Sequence, residues 1–545
     1  MRPRYLDALA RMAVRVFQPV SSLKPRQKPK ILTAHPYIFS VNALNLPPPL
    51  QDECSVRKGS CLCHNLIHME FQFCIRVFMA FLGIVVATAA QADQCMVSVA
   101  TKPGSEWKKY ATRILTDLPA IAAGAADFRL SRYGGWLDRR EKATGFFHTA
   151  RIDGRWWLVD PDGFLFLNAG VASVKTIPTA GAESALAEKF KDKSGWAEAT
   201  ARLLRTNGFN GTGGWSEDNL LSRVQQPVAS TRLLGFMAGF GKIHGGTHMQ
   251  PGHLGYPHDC IFVFDPAFEK FCDNYARPLA ANKNDPWLLG YFSDNELPFS
   301  RHALTNYLAL PADDPGHEAA LKFLQSRHGA QAAAQAIGGS DEADFLAVVA
   351  SRYFVTVARA MKKYDPNHLY LGSRFYAVDI AKPELFRACG PFVDVVSMNY
   401  YRAWTPDAAT MQMWAREAGR PILITEWYAK AEDSGMPNTG GAGWLVKTQR
   451  ERGLFYQNYA LALLESKVCV GWHWFRYADN DPADKAVDPS NRDSNKGIVN
   501  NRYDLYSPLL AAMQPLNRRL YSIVNYFDRA SGQPVGQRTP GEKGD

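Results

Sequence analysis

The feature of this 545-residue chain that most restricts its fold is a series of short apolar runs separated by longer segments of helical period. There are eight: FLFLNAGVAS (164–173), FNGTGGW (209–215), LLGFMAGF (233–240), LLGYFSDNE (288–296), LYLGSRF (369–375), VDVVSMNYY (393–401), PILITEWYA (421–429) and VCVGWHWFRYAD (468–479). Between them Ala185–Thr206, Asp344–Lys363, Ala408–Glu417 and Thr448–Ser466 carry apolar residues at helical spacing. Near-continuous apolar strands alternating with helices predict an α/β fold with a parallel sheet. Eight alternations predict that it closes as a (β/α)8 TIM barrel. No GxGxxG follows any run, so a doubly wound nucleotide-binding sheet has no support.

The expected barrel covers 164–529, closed by a last helix near Ser507–Phe527, and 530–545 is a flexible tail. A short N-terminal lead-in occupies 93–163, with some helix expected in WKKYATRILTDLPAIAAG (107–124). It ends in a β-hairpin, Phe146–Ile152 and Arg155–Val159 turning at Asp153-Gly154, a strong turn pair between apolar strands.

The formal net charge of +10 would suit a nucleic-acid or membrane partner, but it is unevenly distributed. Residues 1–92 hold 11 Lys+Arg and 4 Asp+Glu, whereas 93–545 hold 51 and 48. The main body is therefore close to neutral, and a nucleic-acid partner loses its support. Arg76 precedes the apolar run VFMAFLGIVVATAA (77–90), which ends in Ala90-Gln91-Ala92, the small-x-small pattern of a signal peptidase site. The run is too short for an ordinary membrane span. These features predict a signal peptide over 69–92 starting at Met69, with 1–68 an over-extended or disordered N-terminus. They also predict a periplasmic or secreted product with no stable membrane insertion after cleavage. Five cysteines then remain (Cys95, Cys260, Cys272, Cys389 and Cys469), too sparse a set for a disulfide framework. Whether Cys260 and Cys272 pair stays open, as does the oligomeric state.

In a (β/α)8 barrel the reacting groups sit where the strands end. The fourth run ends Asp294-Asn295-Glu296 and the seventh reaches Thr425-Glu426-Trp427. An acid at the end of an apolar strand is costly to desolvate without a partner or a task. Two of them on opposite strands can hydrolyse a glycoside, Glu296 as acid/base and Glu426 as nucleophile.

Asn-Glu ending the fourth run, with Glu ending the seventh, resembles the pattern of clan A glycoside hydrolases. That resemblance implies that Asn295 contacts a sugar hydroxyl, that Tyr400 lies near the nucleophile and that Trp474 lies under the reacting sugar. Trp215, Arg374, Trp427, His248 and His473 complete the candidate substrate-binding set. Within the clan the chain is similar to glycoside hydrolase family 50, the β-agarases. The likeness lies in RIDGRWWLVDPDGFLFLNAGVASV (151–174), GFNGTGGWSED (208–218), FVFDPAF (262–268), GYFSDNELPF (290–299), ITEWY (424–428), WHWFRYADND (472–481) and NKGIVNNRYDLY (495–506). It implies retaining hydrolysis of a β-linked, galactan-like poly- or oligosaccharide without metal or organic cofactor. A β-glycosidase for another neutral polysaccharide is the alternative within the same chemistry.

The segment GKIHGGTHMQPGHLGYPHD holds His244, His248, His253 and His258 among glycines. Imidazoles are common metal ligands, so a metal-dependent hydrolase using this loop is a further alternative. The HExxH placement of two histidines on one helix face is missing, which favours a loop without metal.

Overall fold

The structure is a computed structural model that describes residues 94–118, 121, 128–245, 247–250, 253–330, 337–376, 379–485 and 487–530. The N-terminal segment, the expected signal peptide and residues 531–545 lie outside the described residues. No described helix is long and apolar enough to cross a membrane.

Nine parallel strands form the central sheet. In chain order they are β1 (Asn168–Val171), β2 (Gly211–Thr212), β3 (Ala229–Leu233), β4 (Leu288–Phe292), β5 (Leu369–Tyr370), β6 (Phe375–Tyr376), β7 (Val396–Asn399), β8 (Ile422–Glu426) and β9 (Cys469–Trp474). Their order across the sheet is β5-β4-β3-β2-β1-β9-β8-β7-β6, with every neighbouring pair parallel. The two outermost strands, β5 and β6, belong to a single run and are separated by Leu371–Arg374 alone. That linker bonds in both directions. Leu371 N donates to Tyr291 O at the end of β4 (2.8 Å), and Arg374 N donates to Ser397 Oγ on β7 (3.1 Å).

Burial follows the apolar sequence. Every residue of β4, β8 and β9 is buried, as a parallel sheet covered by helices requires. The covering helices begin where side chains can satisfy free N–H groups. Asp192, Asp265 and Asp407 cap their helices, and Thr448 forms a capping box with Glu451. The helix Gln449–Glu465 is buried almost all round, because the helices Ser507–Arg518 and Leu520–Ala530 pack over it.

Three expectations change. The run 233–240 is mostly helix, Phe236–His244, and the third strand is the preceding Ala229–Leu233. An apolar run of this length fits either element, and here two carboxylate bonds at the helix start decide it. Asp294 Oδ2 accepts from Met237 N (2.9 Å) and Oδ1 from Ala238 N (3.0 Å). The start of the expected helical stretch is extended, since Lys108–Ala111 pairs antiparallel with Met96–Val99; Leu115–Asp117 is a helical turn, and most of 119–127 lies outside the described residues. The run 164–173 is divided: Phe164–Phe166 joins a separate four-stranded antiparallel sheet, and the parallel sheet starts at Asn168. The hairpin in that antiparallel sheet forms as expected. Ile152 faces Arg155, and Asp153 (φ 51°) and Gly154 (φ 78°) both take the positive φ of a type I′ turn.

Asp294 is the anchor that carries this fold to the site. It is buried, and besides the helix start it accepts from Tyr353 Oη on the helix Gly339–Tyr364 (2.6 Å). Removing it leaves the Met237 and Ala238 N–H groups at the helix start without their acceptor and Tyr353 Oη with Ser293 Oγ alone. We expect Asp294→Ala to cost about 2–4 kcal/mol of stability, measured as a lowered midpoint of denaturant unfolding.

Candidate active site

Beyond the C-terminal ends of the parallel strands lies a cleft enclosing about 1800 Å³, its open mouth included. Trp215, Asn295, Glu296, Tyr401, Glu426 and Phe475 are among its walls. Sequence reasoning named four of these six, and the structure brings those four together from residues 215 to 426.

The two carboxylates are joined by a chain of hydrogen bonds. Arg374 Nη2 donates to Glu426 Oε1 (2.8 Å) and Nη1 donates to Asn295 Oδ1 (2.9 Å). Asn399 Nδ2 donates to the same Asn295 oxygen (3.2 Å) and to Glu296 Oε1 (2.6 Å). Tyr401 Oη donates to the other Glu426 oxygen (2.5 Å). Thr425 Oγ1 donates to Asn399 Oδ1 (2.7 Å), which ties β8 to β7 one residue before Glu426. The Arg374 side chain is fully buried, and that of Glu426 is 6% exposed. Trp215 covers the guanidinium, with its ring centroid 4.2 Å away.

The backbone at this rim is strained. Ser173, Trp215, Glu296, Arg374 and Arg402 follow β1, β2, β4, β5 and β7, and all take φ between 51° and 63°. Left-handed φ at a residue other than glycine costs roughly 1–3 kcal/mol. Glu296 is held there by Glu296 N donating to Arg374 O (3.3 Å). Such strain persists only where the surroundings over-determine it, and it clusters at functional sites.

Tyr400, Trp427 and Trp474 were expected in the cleft and lie behind it. Successive strand side chains point to opposite faces, so each is displaced by one residue from a neighbour that does line it. Tyr401 takes the place expected of Tyr400, and Tyr428 and Phe475 stand beside Trp427 and Trp474. Tyr400 packs edge-on against Trp414, with ring centroids 5.0 Å apart. Trp427 stacks on Tyr459 at 4.1 Å, and Trp474 Nε1 donates to Lys496 O (2.9 Å). Alternation counted outward from Glu426 or Asn399 would have found Tyr428 and Tyr401. Nothing local marked Asn399, whose partners come from the fourth and seventh runs.

Arg374 and His473 lie beneath the cleft floor. His473 is fully buried, and Nε2 donates to Asn168 Oδ1 (2.7 Å). Glycines make the space: a Cβ on Gly170 or Gly213 would sit 2.7 Å from the imidazole. Side chains at 248 and 253 lie outside the described residues. Elsewhere in that histidine segment, His244 Nε2 bonds Asp265 Oδ2 (2.8 Å) and its ring stacks on Phe262 at 4.1 Å. Among the described residues no group of three or more His, Cys, Asp or Glu side chains is arranged to hold a metal. Cys260 and Cys272 are both free thiols.

Burial, reinforced by Arg374, holds the His473 imidazole down at about 3. In the unfolded chain it takes up a proton near 6.5. Between these values the unfolded state binds more protons, so stability contributed by neutral His473 is present above about 6.5 and lost as pH falls towards 3. We expect the His473 ring signals in NMR to show no titration from pH 8 to pH 4.

Comparison with known proteins places this geometry. No family model matches the chain. Beta-agarase B of Vibrio sp. (strain JT0107) is 26% identical over 529 residues, covering 77% of this chain and 54% of that protein. Beta-agarase A of the same strain is 26% identical over 482 residues, with 70% and 46% covered. The chain thus spans about half the length of these curated relatives. The crystal structure of BpGH50 superposes with a TM-score of 0.69 at 28% identity, covering 80% of this chain and 96% of that one. By sequence and by fold, the chain is β-agarase-like and resembles glycoside hydrolase family 50.

Proposed function

We propose that the chain is an exported retaining β-glycoside hydrolase acting on a galactan-like, agarose-type saccharide. The observation that carries this reading is the hydrogen-bonded chain Glu426–Arg374–Asn295–Asn399–Glu296, which sets two carboxylates in one cleft. The agarase likeness supports the galactan, and the apolar run before Ala92 supports export. A parallel sheet whose outermost strands are four residues apart in one segment supports a closed (β/α)8 barrel over 164–529.

The chemistry is a double displacement. Glu296 protonates the glycosidic oxygen as Glu426 attacks the anomeric carbon, so the leaving sugar departs and a glycosyl ester forms on Glu426. Glu296, now a carboxylate, deprotonates a water that attacks the same carbon and frees Glu426. Glu426 is suited to attack by its ion pair with Arg374, which aims one oxygen while Tyr401 holds the other. Trp215, with 38% of its surface exposed, offers a flat apolar face to a sugar ring. Asn295, fixed by two donors, presents its remaining amide hydrogens to the substrate.

Glu296→Gln and Glu426→Gln should each lower turnover on agaro-oligosaccharides by about 10³-fold or more. Azide should restore activity to Glu426→Gly and yield a glycosyl azide of inverted configuration. Near-normal activity in either Gln variant would sink the assignment. Arg374→Met, which leaves Glu426 without its buried cation, should lower kcat by about 10²-fold or more with KM much less affected. Steady-state kinetics on the folded variant reads this split.

A further inference from the structure

Three cations on one side of the cleft have no part in the chemistry above: Lys175, Arg476 and Lys496. Arg476 is 8% exposed and Lys496 2%, while Lys175 is half-buried. Among the described residues, none of the three has a carboxylate within ion-pair distance. Arg476 Nη1 donates to Asn480 Oδ1 (2.7 Å), but its Nε is buried with no partner. Lys496 Nζ donates to Asn491 Oδ1 (2.7 Å) and lies over the rings of Tyr428 and Phe475, at 5.1 and 5.3 Å. Neutral amides and aromatic faces orient these cations, and Asp479 on Arg476 and Glu426 on Lys496 offset their charge from beyond contact. Glu217, Asp484 and Asp488 line the same cleft and stand further off than a contact ion pair.

Resting on the glycosidase reading, we propose that Lys175, Arg476 and Lys496 form a subsite for an anionic substituent, a sulfate ester or a carboxylate, on the sugar bound beside Glu426. Gathering buried cations with no carboxylate in contact is unfavourable, and the strain registers on the amines. Burial first, and Arg476 second, push Lys496 down to about 7 and lower Lys175 as well. An incoming anion relieves both effects. It also supplies a charged acceptor to a guanidinium that has a donor to spare, where a charge-assisted bond is about twice as strong as a neutral one. A neutral sugar hydroxyl can accept from the guanidinium but brings no charge to offset the three cations.

The test compares kcat/KM for a neutral agaro-oligosaccharide with that for its O-sulfated and uronic-acid counterparts. The wild-type chain should favour at least one charged substrate by about tenfold or more, about 1.4 kcal/mol, and the two charged substrates separate sulfate from carboxylate. Lys496→Met should lower the charged-to-neutral ratio by about tenfold. Lys175→Met, at a less buried position, gives the same reading if Lys496→Met does not fold. A wild-type ratio of one or less overturns the subsite. So does an equal loss on charged and neutral substrates, which would mean that these cations only offset the charge of Glu426. If wild type cleaves none of the three, the glycosidase reading has failed. Calorimetric binding of the same oligosaccharides then decides: tighter binding of a charged one supports the subsite, and equal binding overturns it.

Discussion

The buried pair of Arg374 and Glu426 is the interaction on which the rest of this structure depends. A guanidinium with no solvent contact is tolerable only if its donors find acceptors and its charge finds a partner. Glu426 Oε1, Asn295 Oδ1 and Thr425 O meet that demand for both terminal nitrogens from the ends of two strands, β4 and β8, while Nε is left without an acceptor. Arg374 is also the last residue of the four that separate β5 from β6. The linker joining the two outermost strands of the sheet therefore ends in the side chain that gathers the carboxylates. The fold and the site share one set of bonds.

This coupling explains why the rim carries strained backbone. To reach Asn295 and Glu426 together, Arg374 adopts a φ of 52°, and its carbonyl then accepts from Glu296 N. Glu296 is thereby fixed at a φ of 51°, three residues beyond Ser293, whose hydroxyl is tied to Tyr353 and Tyr370. Asp294, between them, caps the neighbouring helix. Trp215 repeats the pattern: its φ of 62° lays the indole across Arg374.

Much of this was legible in the sequence, for reasons that mark its limits. Parallel strands buried on both faces announce themselves as apolar runs, and acids at their ends stand out because water is so much the better solvent for them. Glu296 and Glu426 were visible on those grounds. The face on which an aromatic lies was equally readable, since period-2 alternation places Tyr401 with Asn399 and sets Tyr400 opposite. A family pattern read without that alternation pointed to Tyr400 and Trp474, whose neighbours Tyr401 and Phe475 line the cleft. Length and apolarity could not separate strand from helix at 233–240, because the deciding carboxylate lies about sixty residues further on, at Asp294. Asn399 was hidden for the same reason: an asparagine in an apolar run is unremarkable until Glu296 and Thr425 arrive from elsewhere.

The surroundings of the two carboxylates bear on the roles proposed for them. Both oxygens of Glu426 are engaged, one by a buried guanidinium and one by a phenol that is itself held well above its ordinary range by burial. That phenol remains a donor throughout the working pH range, so Glu426 is pinned in direction as well as paired in charge. A group that must approach one carbon along one line benefits from such pinning. Glu296 accepts from the amide of Asn399 on a backbone that leaves it in the wall of the open cleft. A residue that must give up a proton and take one back from a passing water needs that access. Two identical side chains are thus separated by what surrounds them, which is the general way one site runs two chemistries with one kind of acid.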